Sequence, residues 1–172
     1  MLNLLLLRHA KSSWNEPGQD DFDRPLNKRG TKAAAAIGQH LDEAGLAPGL
    51  VLCSTAVRTR ATLTLVLREI EGTAPAVVFD DELYLAEPET ILAKVRAVDP
   101  QHTTVLVIGH NPGMHALALE LAGAGPREML AELAMQFPTA ALAHLSFTAA
   151  DWSTILPASG TLVNFVLPRR LD

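Results

Sequence analysis

Four side chains scattered along the chain are of the types that handle phosphate: Arg8 and His9 side by side, Arg58, and His110. A neutral imidazole is a good nucleophile near neutral pH, since its ordinary pKa is about 6.5. A guanidinium presents a planar fork that binds phosphate oxygens in pairs. Phosphoryl transfer depends mainly on positioning and on neutralising the equatorial oxygens, so fixed positive donors do what a metal would otherwise do. The set therefore predicts phosphoryl chemistry that needs neither a metal nor a cofactor.

For these residues to act together, the fold must bring them to one place. Short apolar runs alternate with helical patterns, which predicts an α/β fold, three layers with helices on both faces of a mainly parallel central sheet. Leu2 to Leu7 reads as a first strand and Leu50 to Cys53 as a second, with a helix from Lys28 to Ala44 between them, stopped by Gly45. Leu63, Val66, Leu67 and Ile70 fall on one stripe of the next helix. Ala76 to Phe79 is a third strand, Pro88 opens a helix carrying Ile91, Val95 and Val98, and Thr103 to Ile108 is a β-branched strand. Pro112 opens a helix with Met114, Leu117 and Leu121, and Arg127 to Leu133 forms another. Strands near Ala141 to Phe147 and Thr161 to Leu167 complete the sheet, in an order the sequence does not give.

In open α/β sheets ligands bind beyond the carboxyl ends of the strands. Arg8 and His9 lie just past the first strand, Ser54 and Arg58 past the second, and Gly109, His110 and Asn111 past the Thr103 to Ile108 strand. All are expected to open onto one crevice.

The whole-chain properties narrow the reading. At 172 residues the chain is expected to form one domain, 1–172. A net charge of −5 and the lack of a long Lys/Arg run argue against nucleic acid, so the useful positive charge must be concentrated in one cleft. A single cysteine, Cys53, excludes an internal disulfide and fits a reducing compartment. No stretch approaches the roughly 20 apolar residues of a membrane span, and Leu2 to Leu7 runs into Arg8 without a cleavage site. A soluble cytoplasmic protein is expected.

Several features read as ordinary. His40, His102, His115 and His144 have no chemical context, and the spacing of His110 and His115 is wrong for paired zinc ligands. The Asp20, Asp21, Asp23 cluster reads as a solvated loop. Cys53 and Arg58 have four residues between them, where a cysteine phosphatase loop needs five, so Cys53 is expected to be a small buried hydrophobe.

The same residues carry a resemblance. LLLLRHAKSSW (Leu4 to Trp14) resembles the Arg-His motif of the histidine phosphatase superfamily. DFDRPLNKRG (Asp21 to Gly30), STAVRTRAT (Ser54 to Thr62) and VIGHNPGM (Val107 to Met114) follow in that family's order. With FPTAAL (Phe137 to Leu142) they look most like the small SixA-like phosphohistidine phosphatases, of phosphoglycerate mutase-like fold. Ala10 stands where the wider superfamily usually has Gly, as is frequent in that branch.

The resemblance implies that His9 becomes phosphohistidine, that Arg8 and Arg58 bind the phosphate, and that His110 binds it and stabilises the transferring group. It further implies Arg24 as a phosphate or substrate contact and Glu82 as a catalytic acid, although FDDELYLAE around Glu82 matches no specific motif. Expelling an alkoxide needs a proton donor, whereas the imidazole of a phosphohistidine can leave neutral. An ill-defined acid therefore leans toward a phosphohistidine-bearing protein as substrate, as does the short Tyr84 to Pro88 connection, which leaves the pocket open. The rivals are a phosphatase of small phosphate esters, which predicts a large loss on Glu82→Gln, and a non-catalytic module that holds phosphate or phosphohistidine without turnover.

Overall fold

The computed structural model describes residues 1–171. Its elements run β1 (Leu2–Arg8), α1 (Lys28–Glu43), β2 (Leu50–Ser54), α2 (Val57–Arg68), β3 (Ala76–Asp80), α3 (Pro88–Arg96), β4 (Thr104–Gly109), α4 (Gly113–Leu121), β5 (Ala122–Ala124), α5 (Arg127–Met135), β6 (Leu142–Phe147) and β7 (Gly160–Val166). The strands form one seven-stranded sheet in the order β3-β2-β4-β1-β6-β7-β5. β3, β2, β4 and β1 are mutually parallel; β6 runs antiparallel to β1 and β7 antiparallel to β6, while β5 is parallel to β7.

The run of leucines in β1 reflects its central place. A strand covered on both faces needs apolar residues at every position, and alternate side chains divide between the two faces. Leu5 and Leu7 pack with Val51, Cys53, Leu106 and Ile108 beneath Ile37 and Leu41 of α1 and Leu63 and Val66 of α2. Leu4 and Leu6 face the other way, with Val105 and Val107, toward Ile91 and Val95 of α3, Met114 and Leu117 of α4, and Leu133 of α5. The three-layer α/β/α architecture expected from the sequence is thus present, and no helix of the described residues is long and apolar enough to cross a membrane.

Differences from the sequence reading are local. α1 ends where expected, with Gly45 at φ +68°, a left-handed position suited to a residue without Cβ. α2 stops at Arg68, so Ile70 lies past its end, and α3 stops at Arg96, with Val98 buried just beyond it. β3 is an edge strand with Val78 and Phe79 exposed. β5 is a further strand of three residues, AGA, too short to show any periodicity.

Two registers matter for the site. β1 and β4 pair with Arg8 opposite Gly109, so the next residues, His9 and His110, leave the sheet at the same level. β2 and β4 pair with Cys53 opposite Ile108, which brings Ser54 level with the end of β4.

Candidate active site

A cleft of about 200 Å³ opens at this edge of the sheet. Arg8, His9, Arg24, Arg58 and His110 all line it, so five of the six side chains singled out from the sequence meet in one place. The imidazoles of His9 and His110 lie 5.4 Å apart, centroid to centroid.

His9 is held from both sides of the backbone. Its amide donates to Gly109 O (3.1 Å), and its carbonyl accepts from Ala140 N (3.0 Å). Its Nδ1 lies 2.8 Å from Ala10 O. A carbonyl only accepts, so Nδ1 carries the proton and Nε2 keeps a free lone pair. Ala10 N in turn donates to Thr62 Oγ1 (3.0 Å), and Thr62 donates to Arg58 O (2.7 Å), which ties the His9 loop to the first turns of α2. Burial pushes the His9 pKa down to about 4, with Arg58, Arg8 and Arg24 adding to the effect against the hydrogen bond to Ala10. The ring is therefore neutral at pH 7.

His110 has the opposite tautomer. Arg58 Nη2 lies 3.3 Å from its Nδ1, and a guanidinium only donates, so Nδ1 accepts and Nε2–H donates to Ser54 Oγ at 2.7 Å. Burial, then Arg58 and His9, push its pKa down to about 3. Tyr84 packs edge-on against the ring, with centroids 5.3 Å apart.

The guanidiniums are fixed by a carboxylate that the sequence did not single out. Asp21 accepts from Arg58 Nη2 at Oδ2 (2.9 Å), from Arg24 Nη1 at Oδ1 (2.9 Å) and from the Tyr84 hydroxyl at Oδ2 (2.5 Å), while its carbonyl accepts from Arg58 Nη1 (2.6 Å). Partial burial works to raise the Asp21 pKa, but the hydrogen bonds from Tyr84, Arg58 and Arg24 outweigh it and hold the carboxyl at about 2. The reading of the aspartate cluster as merely solvated is thus corrected for Asp21, because its partners come from α2 and from the loop after β3. The available signal was the Asp21/Arg24 spacing within DFDR, which a 3-10 turn at Asp21–Asp23 closes into an ion pair.

Arg24 is buried and fully engaged: Nε donates to Ser13 O (3.1 Å), Nη1 to Asp21, and Nη2 to Ser12 Oγ, with the Trp14 ring stacked 3.1 Å from its guanidinium carbon. Arg8 donates from Nη1 to Phe137 O (3.2 Å), which also accepts from Asn111 Nδ2 (2.8 Å). Burial and the neighbouring Arg58 lower the Arg8 pKa from its ordinary value. Arg8 Nε and Arg58 Nε are buried without a hydrogen-bond partner.

Glu82 is the sixth residue, and it does not reach the cleft. It sits in a 3-10 turn after β3, its side chain 70% exposed, with its carboxylate 3.2 Å from Lys94 Nζ on α3. Among the described residues no carboxylate lines the cleft. The other histidines behave as expected: His115 Nε2 meets Leu133 O at 2.6 Å and His144 Nε2 meets Asn3 Oδ1 at 2.8 Å. Cys53 is fully buried, and burial pushes its thiol up to about 12, far from a reactive thiolate.

Comparison with known proteins identifies the family. The family model of the histidine phosphatase superfamily (branch 1) matches residues 4–84. The chain belongs to the histidine phosphatase superfamily, within its SixA-like branch of phosphatases. A Nakamurella multipartitia protein proposed to be a phosphohistidine phosphatase SixA is 36% identical, with a TM-score of 0.84 over 97% of this chain and 96% of that one. A counterpart from Agrobacterium tumefaciens, also proposed to be a SixA, is 34% identical, with a TM-score of 0.82 over 97% and 98% of the two chains. An uncharacterised Mycobacterium leprae protein is 36% identical across 95% of this chain and 100% of its own length.

Proposed function

We propose that the chain dephosphorylates a phosphohistidine-bearing protein through a covalent phospho-His9 intermediate, without a metal. The observation that carries this reading is the His9 tautomer. With Nδ1–H fixed on Ala10 O, the Nε2 lone pair is available in a pocket that Arg8, Arg58 and His110 surround.

Nε2 of His9 attacks phosphorus while the P–N bond of the substrate breaks, its electron pair returning to the substrate nitrogen. When the substrate ring is protonated on its other nitrogen it leaves as neutral imidazole, so no separate general acid is needed. Two imidazoles exchange one phosphoryl group, a step with little driving force either way. Water then attacks phospho-His9, releasing inorganic phosphate and restoring the free ring.

Arg8 and Arg58 bind the equatorial oxygens, and their unpartnered Nε groups gain acceptors when an anion enters. Arg24, buried in the same lining, adds positive charge. His110 stays neutral, its Nδ1 accepting from Arg58 Nη2, and its Nε2–H is the proton it can turn from Ser54 Oγ to a phosphate oxygen. The cluster of guanidiniums supplies the charge a metal would bring, and would itself repel one. Glu82 has no part in this scheme. The buried reduced Cys53 fits a cytoplasmic setting.

The test compares phosphate release by wild type and His9→Ala from a phosphohistidine carrier protein and from small phosphate esters. Release mainly from the phosphohistidine protein, lost in His9→Ala, is the expected result. Preference for an ester, with a large loss on Glu82→Gln, would move the substrate to small metabolites. No release from any substrate would favour a non-catalytic phosphate-binding module.

A further inference from the structure

Beside the phosphate cleft lies a second groove of about 360 Å³. Lys11 and Thr139 line both, so the two are adjacent. Three more cations line the groove: Arg29 and Lys32 from the start of α1, and Arg169 from the segment after β7. All four are exposed, and no acidic side chain is among the residues that line it. None of the four forms an ion pair among the described residues, and Glu132, which senses Arg169, is already bonded to Arg170. This is an unbalanced basic patch on a chain whose net charge is −5.

Folding does not account for it. The amino end of a helix carries partial positive charge and favours Asp and Glu. The first turn of α1 holds no acidic residue; Lys28 and Arg29 are there instead, with Lys32 in the next turn. These cations lie at the end of the helix where they destabilise it, and like charges drawn from three segments repel one another besides. Such an arrangement suits a negatively charged partner.

We propose that this groove receives an acidic segment of the protein substrate, Asp and Glu side chains that flank the phosphohistidine, and so selects which phosphoprotein is dephosphorylated. The inference rests on the phosphohistidine-protein reading above and deepens it. The cations of the groove are long, flexible and surface-exposed, which suits side chains presented by a protein surface more than an enclosed small anion. Lys11 and Thr139 stand at the boundary of the two sites, so a segment in the groove lies beside the phosphate cleft.

The test uses two peptides with the same phosphohistidine, one flanked by Asp and Glu and the other by Asn and Gln, together with free phosphohistidine. Wild type is compared with Arg29→Glu/Lys32→Glu, a change confined to exposed positions outside the phosphate cleft. Wild type should use the acidic peptide about tenfold more efficiently in kcat/KM at low salt, with the preference shrinking as salt rises. The double variant should lose that preference, hydrolyse free phosphohistidine as wild type does, and melt no lower than wild type. Equal use of both peptides by wild type, or a preference that survives the double change, would overturn the proposal.

If wild type hydrolyses no phosphohistidine at all, the substrate reading fails, and the groove is then decided by binding of the unphosphorylated acidic peptide. Binding that the double variant weakens about tenfold supports an acidic-segment site. Equal binding to both proteins, or binding of inorganic triphosphate but not of the peptide, overturns it.

Discussion

The two sides of the phosphate cleft are held in different ways. His9 and His110 hang from the ends of β1 and β4, where the backbone ladder that pairs Arg8 with Gly109 sets their separation. Arg24 and Arg58 face them, and their positions depend on one carboxylate, Asp21, which Tyr84 braces in turn. The first side is positioned by the sheet, which no single side chain controls. The second is an electrostatic cluster in which one charge holds two others. Chemistry and stability should therefore separate on the histidine side and travel together on the arginine side.

The largest effect expected is on rate. His110→Asn should lower kcat/KM by roughly 10²–10³, since it removes the imidazole proposed to donate to the transferring group, while the melting temperature changes little. Phosphate release and a thermal melt on the same sample check this, and a melting point that fell as far as that of an Asp21 variant would break the comparison.

Asp21→Asn should lower stability by about 2 kcal/mol, because buried Arg58 loses its charged acceptor. Inorganic phosphate should restore more stability to this variant than to wild type, since an anion replaces the missing carboxylate. Urea unfolding with and without phosphate measures both quantities.

A smaller effect separates the two sides by pH. His9 and His110 have native pKa values near 4 and 3, below the ordinary 6.5, so under pH 6.5 the unfolded chain binds protons that the native protein refuses. Stability should fall as pH drops from 6.5 toward 4. Asp21, at about 2 against an ordinary 3.8, contributes stability that is present above 3.8 and lost only as pH falls toward 2. In urea midpoints taken across this range, His9→Asn should flatten the slope between pH 6.5 and 4, and Asp21→Asn should leave it unchanged. The reverse result would show that the arginine side governs acid sensitivity.

The smallest change is Tyr84→Phe, which removes one hydrogen bond to Asp21 and should cost about 1 kcal/mol of stability. A loss equal to that of Asp21→Asn would mean that the hydroxyl, not the charge, holds the cluster.

The histidine side was legible in the sequence for the reason that makes it rigid. A residue just past an apolar strand lies at a sheet edge, so Arg8, His9 and His110 declared their places through the runs before them, and Arg58 through the strand-to-helix turn. Arg58 apart, the arginine side was not legible in this way, and Arg24 stood out only through the resemblance of its motif. Asp20, Asp21 and Asp23 look alike in a polar loop, and only contacts to Arg58 and Tyr84, far along the chain, single out Asp21. Glu82 follows a strand just as His9 does, but a 3-10 turn directs it to Lys94. The basic groove escaped notice because its cations come from separate segments and form no run.

The most direct test of the central claim is to quench wild type in alkali during turnover of a phosphohistidine protein labelled on phosphorus, and to map the label by peptide. The account predicts label on the peptide containing His9, through a bond stable to alkali and labile to acid, and none in His9→Asn. Label on His110, or phosphate release from His9→Asn at the wild-type rate, would contradict it.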